Sequence, residues 1–264
     1  MSKPLTFTFP LLMLSLVLSS CASTGIDVRS VRETDSLLVK HALAENEAIL
    51  LELGNFTDQF SRYEQAKAHY QIALNTHDRP STNKAIEIFE ALLDEPRFVA
   101  DVRRSAELNA YYGSAYTLKA RDFPGLWIVN NLTPVGYIRI YYVWRGKRYL
   151  NRAVDIEPSH PVVRLIRANT LVNIPRVFGQ FARGREDFAL LRKWMENPEE
   201  NERYEMLLRD ERFYMPVYFS LAEFYRIYLS PDQAREIYEK IIRLSPHSVY
   251  AEAARTALNT LQTS

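Results

Sequence analysis

Side chains able to do covalent, acid–base or metal chemistry are few in this sequence and thinly spaced. The chain has a single cysteine, Cys21, so no disulfide framework and no cysteine-based metal site can be drawn. The histidines, His41, His69, His77, His160 and His247, fall singly, near expected helix ends or on helix faces. None has a second histidine at the H-x-x-x-H spacing that would put two imidazoles on one helix face. No nucleophile elbow, phosphate loop or dinucleotide fingerprint is present either. No catalytic residue, metal ligand or cofactor is therefore assigned, and the expected class is non-enzymatic, with surface roles for the histidines.

What the residues offer instead is binding chemistry. The segment from Phe123 to Arg145 carries Trp127, Tyr137, Tyr141, Tyr142 and Trp144, and its charges are Arg139 and Arg145. Such rings combine a large apolar contact with a polar tip, so the segment either fills a groove of its own fold or marks a partner, ligand or membrane contact. Pro124, Gly125, Pro134, Gly136 and two asparagines exclude a membrane span there. A charge asymmetry follows: twelve Lys or Arg against four Asp or Glu from Arg139 to Lys193, then seven acids against three bases from Trp194 to Arg212. If Arg164, Arg167, Arg176, Arg183 and Arg185 shared a face, their planar guanidiniums would present forks to carboxylates or phosphates. The alternative is a solvated face paired with Glu186, Asp187 and the acidic segment. The candidate partner contacts are thus Trp127, Tyr141, Trp144, Arg164, Arg167, Arg183 and Arg185. A net charge of +1 argues against a dedicated nucleic-acid binder.

The elements that must position these side chains begin with a leader. Lys3 supplies a short positive region, and Leu5 to Leu18 is uncharged and mostly apolar. At roughly 1.5 Å per residue this stretch is short for a hydrocarbon core of about 30 Å, and Pro10 interrupts it, so residues 1–20 read as a signal peptide. Leu18-Ser19-Ser20-Cys21 resembles the lipobox of bacterial lipoproteins. The resemblance implies that Cys21 is acylated and becomes the new N-terminus, and that Ala22 in place of Asp directs the protein to the outer membrane, facing the periplasm. Residues 21–34, polar and containing Ser23, Thr24 and Gly25, are expected to form a tether, and residues 35–264 one elongated domain. The whole chain, 47% hydrophobic and 25% charged, can build a core, and with eight glycines in all helices are favoured.

Periodicity gives the architecture. Tyr218, Leu221, Ala222 and Tyr225, then Ala234 and Tyr238, then Pro246, follow a spacing that resembles the tetratricopeptide repeat, a helix-turn-helix unit. Small Ala222 and Ala234 would let the two helices approach closely while the tyrosines fill the flanks. Ser230-Pro231-Asp232 would end one helix and start the next. A split copy pairs Asn109, Tyr112, Gly113 and Tyr116 with Gly146, Leu150, Ala153 and Pro158, separated by the aromatic insertion at 123–145. Ala85, Phe89 and Leu92, ending at Pro96, pair with a helix from Tyr63 to Asn75. A weaker unit joins Val162–Thr170 to Glu186–Trp194 through an irregular stretch containing Pro175, Gly179 and Gly184. A last helix, Val249 to Leu261, would cover the end of the stack.

The expected fold is therefore all-α, a tetratricopeptide-like helix-turn-helix solenoid behind a lipoprotein signal peptide. The expected function is a lipid-anchored scaffold that binds another cell-envelope protein through its groove. The alternative is a small-ligand or lipid carrier, resembling the helical-repeat lipoprotein component of tripartite transporters. An enclosed apolar pocket would favour the carrier, and an open polar groove the scaffold.

Overall fold

The computed structural model describes residues 28–123 and 135–262, with side chains from Leu38 in the first stretch and from Tyr137 to Leu261 in the second. The leader, Leu18, Ser19, Ser20, Cys21 and Trp127 lie outside the described residues. All regular structure among the described residues is helical. In chain order the helices are α1 (Val28–Leu53), α2 (Gln59–Thr76), α3 (Arg79–Leu93), α4 (Pro96–Val99), α5 (Val102–Arg121) and α6 (Val135–Ile156). They continue as α7 (Pro161–Asn173), α8 (Phe181–Glu196), α9 (Glu205–Leu208), α10 (Glu211–Tyr228), α11 (Pro231–Leu244) and α12 (Val249–Gln262).

Local chemistry sets many of these limits. Asp58, Asp78, Asp101, Asp210 and Ser230 each accept a backbone N–H of the first helical turn with the side chain, satisfying donors that have no partner within the helix. Pro96, Pro161 and Pro231 open α4, α7 and α11, where the missing N–H costs nothing. Ser230-Pro231 makes the break between α10 and α11 that the sequence shows, and α11 stops at Leu244, two residues before Pro246. Pro216 breaks nothing: it lies inside α10, which runs on to Tyr228.

Consecutive helices pack as pairs, α2 on α3, α5 on α6, α7 on α8 and α10 on α11, and α3 also packs on α5. Helices α5 and α6 approach each other closely. A Cβ added at Gly113 would sit 2.7 Å from the Gly146 carbonyl oxygen, and one added at Gly146 would sit 2.5 Å from that of Gly113. The two glycines of the split copy therefore mark one crossing, with Leu150 and Ala153 fully buried beside it. Gly184 differs from expectation. It belongs to α8 rather than to an irregular linker, and a Cβ there would meet Val172 at 2.8 Å and the Ala168 carbonyl oxygen at 3.1 Å. It is a contact glycine of the α7/α8 pair.

Two hydrophobic clusters meet at α7. Val163, Ile166 and Leu171 join the cluster of α2 to α6, whereas Ala168 and Val172 join that of α8, α10, α11 and α12. The last helix does not end the packing, because α12 lies against both α11 and α1, and Leu38 of α1 packs on the second cluster. Helix α1 thus touches the first pair through α2 and the last through α12. Its described part begins at Val28, so residues 28–34 of the stretch expected as tether are helical.

Candidate interaction surfaces

The arginines expected to act together are divided. Asp187 of α8 is fully buried against α7, and a buried carboxylate needs paired donors. Arg167 donates to it in bidentate fashion, Nε to Oδ2 at 2.6 Å and Nη2 to Oδ1 at 2.8 Å, and Arg164 adds Nη1 to Oδ1 at 2.7 Å. Arg164 also donates to the Pro158 carbonyl oxygen at 2.9 Å, and Arg167 is itself buried. These two guanidiniums hold α7 to α8, which corrects their expected place on a partner surface. Arg183 and Arg185 are exposed on α8, and Arg176 rests on the Phe181 ring at 4.1 Å.

A second buried network escaped the sequence reading. His160, which precedes α7, is buried and pairs through Nε2 with Glu107 Oε1 of α5 at 3.0 Å, while the Tyr63 hydroxyl of α2 donates to Glu107 Oε2 at 2.8 Å. Burial pushes the Glu107 carboxyl up. The His160 hydrogen bond and charge, the Tyr63 hydroxyl and Lys67 outweigh that and leave it below the usual glutamate value. Burial and the Glu107 charge together hold the Tyr63 hydroxyl well above the usual tyrosine value. The arrangement ties three helices together with a charge-assisted bond at its centre. His41, His77 and His247 are exposed, as expected, and His69 is half-buried. Among the described residues no three His, Cys, Asp or Glu side chains are grouped to hold a metal ion.

Among the clefts on the surface of the described residues, two lie between packed helices. One, of about 240 Å³, is lined by Arg79, Thr82 and Asn83 of α3, Lys119 of α5, Asp122, Phe123 and Tyr142 of α6. The other, of about 300 Å³, lies between α8, α10 and α11. Its floor is Tyr218, Leu221 and Ile237, two of them residues of the repeat spacing, and its rim is Arg192, Glu196, Glu236, Lys240 and Arg243. The rim is preset: Arg192 donates to Glu196 at 2.9 Å and to the Tyr225 hydroxyl at 3.0 Å, and the Lys240 ammonium lies 4.4 Å from the Tyr218 ring centre. Hydrogen bonds from Arg192 to Glu196 and Tyr225 raise its already high pKa, so it stays charged. Ala222 and Ala234, behind the floor, are fully buried, and the Tyr238 hydroxyl donates to Glu223.

The aromatic insertion is helical from Val135 onward, as the first turns of α6. Val143 packs inward and Tyr142 lies against the core, but Tyr137, Tyr141 and Trp144 are 75%, 54% and 60% exposed. Tyr116, expected as a repeat residue, is buried and lies near Tyr142 and beneath Arg145, 4.6 Å from the guanidinium. No helix among the described residues is long and apolar enough to cross a membrane. Compared with protein-family models, with curated proteins and with solved structures, the chain finds no match.

Proposed function

We propose that the chain is a non-enzymatic scaffold, acylated at Cys21 and held on the periplasmic side of the bacterial outer membrane. It has tetratricopeptide-like helix pairs and takes a segment of another envelope protein into the cleft between α8, α10 and α11. The observation that carries this reading is the anatomy of that cleft. An apolar floor of Tyr218, Leu221 and Ile237 is ringed by both signs of charge, which is how a recognition site excludes water at its centre and fixes register at its edge. The rival carrier reading calls for an enclosed apolar cavity. Both clefts are open and carry charged linings, which supports the scaffold.

Two experiments test it together. Cys21→Ser should prevent acylation and release the protein from the membrane fraction, and mass spectrometry should find lipid on the N-terminal cysteine of the parent. Affinity purification of the lipidated protein should recover an envelope partner, and Lys240→Glu with Arg243→Glu should lose it while the fold persists. A parent with an unmodified Cys21, or a partner retained in full by the charge-reversed protein, overturns the respective half of the proposal.

A further inference from the structure

Helix α6 is oriented by its inward residues. Val143, Gly146, Leu150 and Ala153 are buried against the rest of the fold, which fixes the opposite face outward. Tyr137, Tyr141, Trp144, Arg148 and Arg152 run along that outer face at steps of three or four residues, and all are exposed. Ile138 and Ile140 are exposed on its two flanks. Five large exposed apolar side chains thus fall between 137 and 144, whereas the others among the described residues are spread along the rest of the chain, in helices and in the turns between them. From Val135 to Ile156 the helix has five Lys or Arg and one acid, Asp155, exposed on the same face one turn beyond Arg152.

We propose that this face of α6 seats on an anionic lipid surface, giving the protein a second membrane contact beyond the acylated cysteine. Tyrosine and tryptophan favour the headgroup layer, where the ring meets acyl chains and the hydroxyl or indole N–H meets water and phosphate. Isoleucines flanking them deepen the apolar contact, and basic side chains on the same helix face complete the composition of interfacial helices. Charge complementarity selects the occupant. A protein groove or helix would be matched by mixed signs, as at the other cleft, whereas an aromatic patch followed by Arg148 and Arg152, with one acid, Asp155, at the far end of the face, matches a plane of phosphates. Arg139 donates to the Ala120 carbonyl oxygen at 3.1 Å, Arg145 is tied to Glu90 at 2.9 Å and to Tyr112, and Lys147 lies 4.4 Å from the Trp144 ring centre, which leaves Arg148 and Arg152 as the outward charges that reach headgroups. A lipid tether alone leaves a protein free to rotate; a seated helix face sets which side points into the periplasm.

The test uses the chain from residue 21 onward with Cys21→Ser, which keeps every described residue and removes lipid and leader, so it stands apart from the acylation proposal. Co-sedimentation is measured with vesicles of phosphatidylcholine containing phosphatidylglycerol and with phosphatidylcholine alone. The parent should bind the anionic vesicles more tightly. Arg148→Glu with Arg152→Glu should weaken that binding by roughly 30-fold or more at low salt, with the difference shrinking as salt rises. Tyr141→Ser with Trp144→Ser should weaken it at every salt concentration. If the aromatic variant melts early, the charge variant, which alters only exposed side chains, decides. A parent that ignores anionic vesicles, or variants that bind them as the parent does, overturns the proposal. So does a parent that sediments as a dimer and variants that change only that dimerisation, for the face would then join two copies of the chain.

Discussion

Replacing Gly113 by alanine tests the packing on which the whole arrangement depends. The added methyl would lie 2.7 Å from the Gly146 carbonyl oxygen and 2.8 Å from the Leu150 backbone nitrogen. Non-bonded carbon contacts settle near about 3.5 Å, so α5 and α6 must separate by roughly 0.7 Å. Both obstructing atoms are backbone, so no side chain can swing aside. Overpacking of this kind costs about 1 to 3 kcal/mol, and alanine returns about 1 kcal/mol over glycine in helix propensity, which leaves a net loss of up to about 2 kcal/mol. Gly113→Val adds more volume with a smaller return in propensity, so its loss should be larger. At about 2 to 4 °C per kcal/mol for a domain of this size, thermal melts followed by circular dichroism should rank parent, Ala and Val in falling order. Gly113→Ala with Gly146→Ala should fall by less than the two single effects together, because one separation of the helices accommodates both methyls. An alanine variant that melts at or above the parent, with valine indistinguishable from both, would mean that the two helices do not meet there.

Asp187→Ala should destabilise by about 3 to 5 kcal/mol in urea denaturation, since it leaves buried Arg167 without its counter-charge; a loss below about 1 kcal/mol would show that the pair is solvated. Glu107 gives a pH signature. Its folded carboxyl lies below the usual value of 4.5, so its contribution is full above the unfolded pKa and is lost as pH falls through the folded one. Glu107→Gln should therefore lower stability at neutral pH and flatten the decline below about pH 4.5, and denaturation curves of equal pH dependence for parent and variant would contradict the assignment.

The helix pairs were legible where their contacts recur at fixed, short spacing. Tyr218, Leu221, Ala222, Ala234 and Tyr238 lie on adjacent helices, and the turn between them carries its own signal in Ser230 and Pro231. Gly113 and Gly146 could be matched despite the insertion because each falls at a small-residue position of the repeat spacing. Gly184, close to Pro175 and Gly179, has the local look of a breaker, and only its contact with α7 explains it. The Tyr63, Glu107 and His160 network joins residues far apart in sequence, and none of them carries a local mark. Tyr137, Tyr141 and Trp144 have the spacing of a buried stripe, and which side of α6 is covered depends on the position of Val143, Leu150 and Ala153 against α5. The pairing of α1 with α12 is equally non-local and has no sequence signature.

Occupation of the cleft between α8, α10 and α11 by an envelope partner is the part of the proposal on which the rest depends. Site-specific photo-crosslinking in intact cells tests it, with a photoreactive residue at Glu236 or Lys240 on the rim and at Met206, an exposed position away from it, as control. Both rim positions should yield a discrete adduct in the membrane fraction, lost when Arg243→Glu is added and missing from the control. Rim positions that yield no adduct, or the same adducts as Met206, would contradict it.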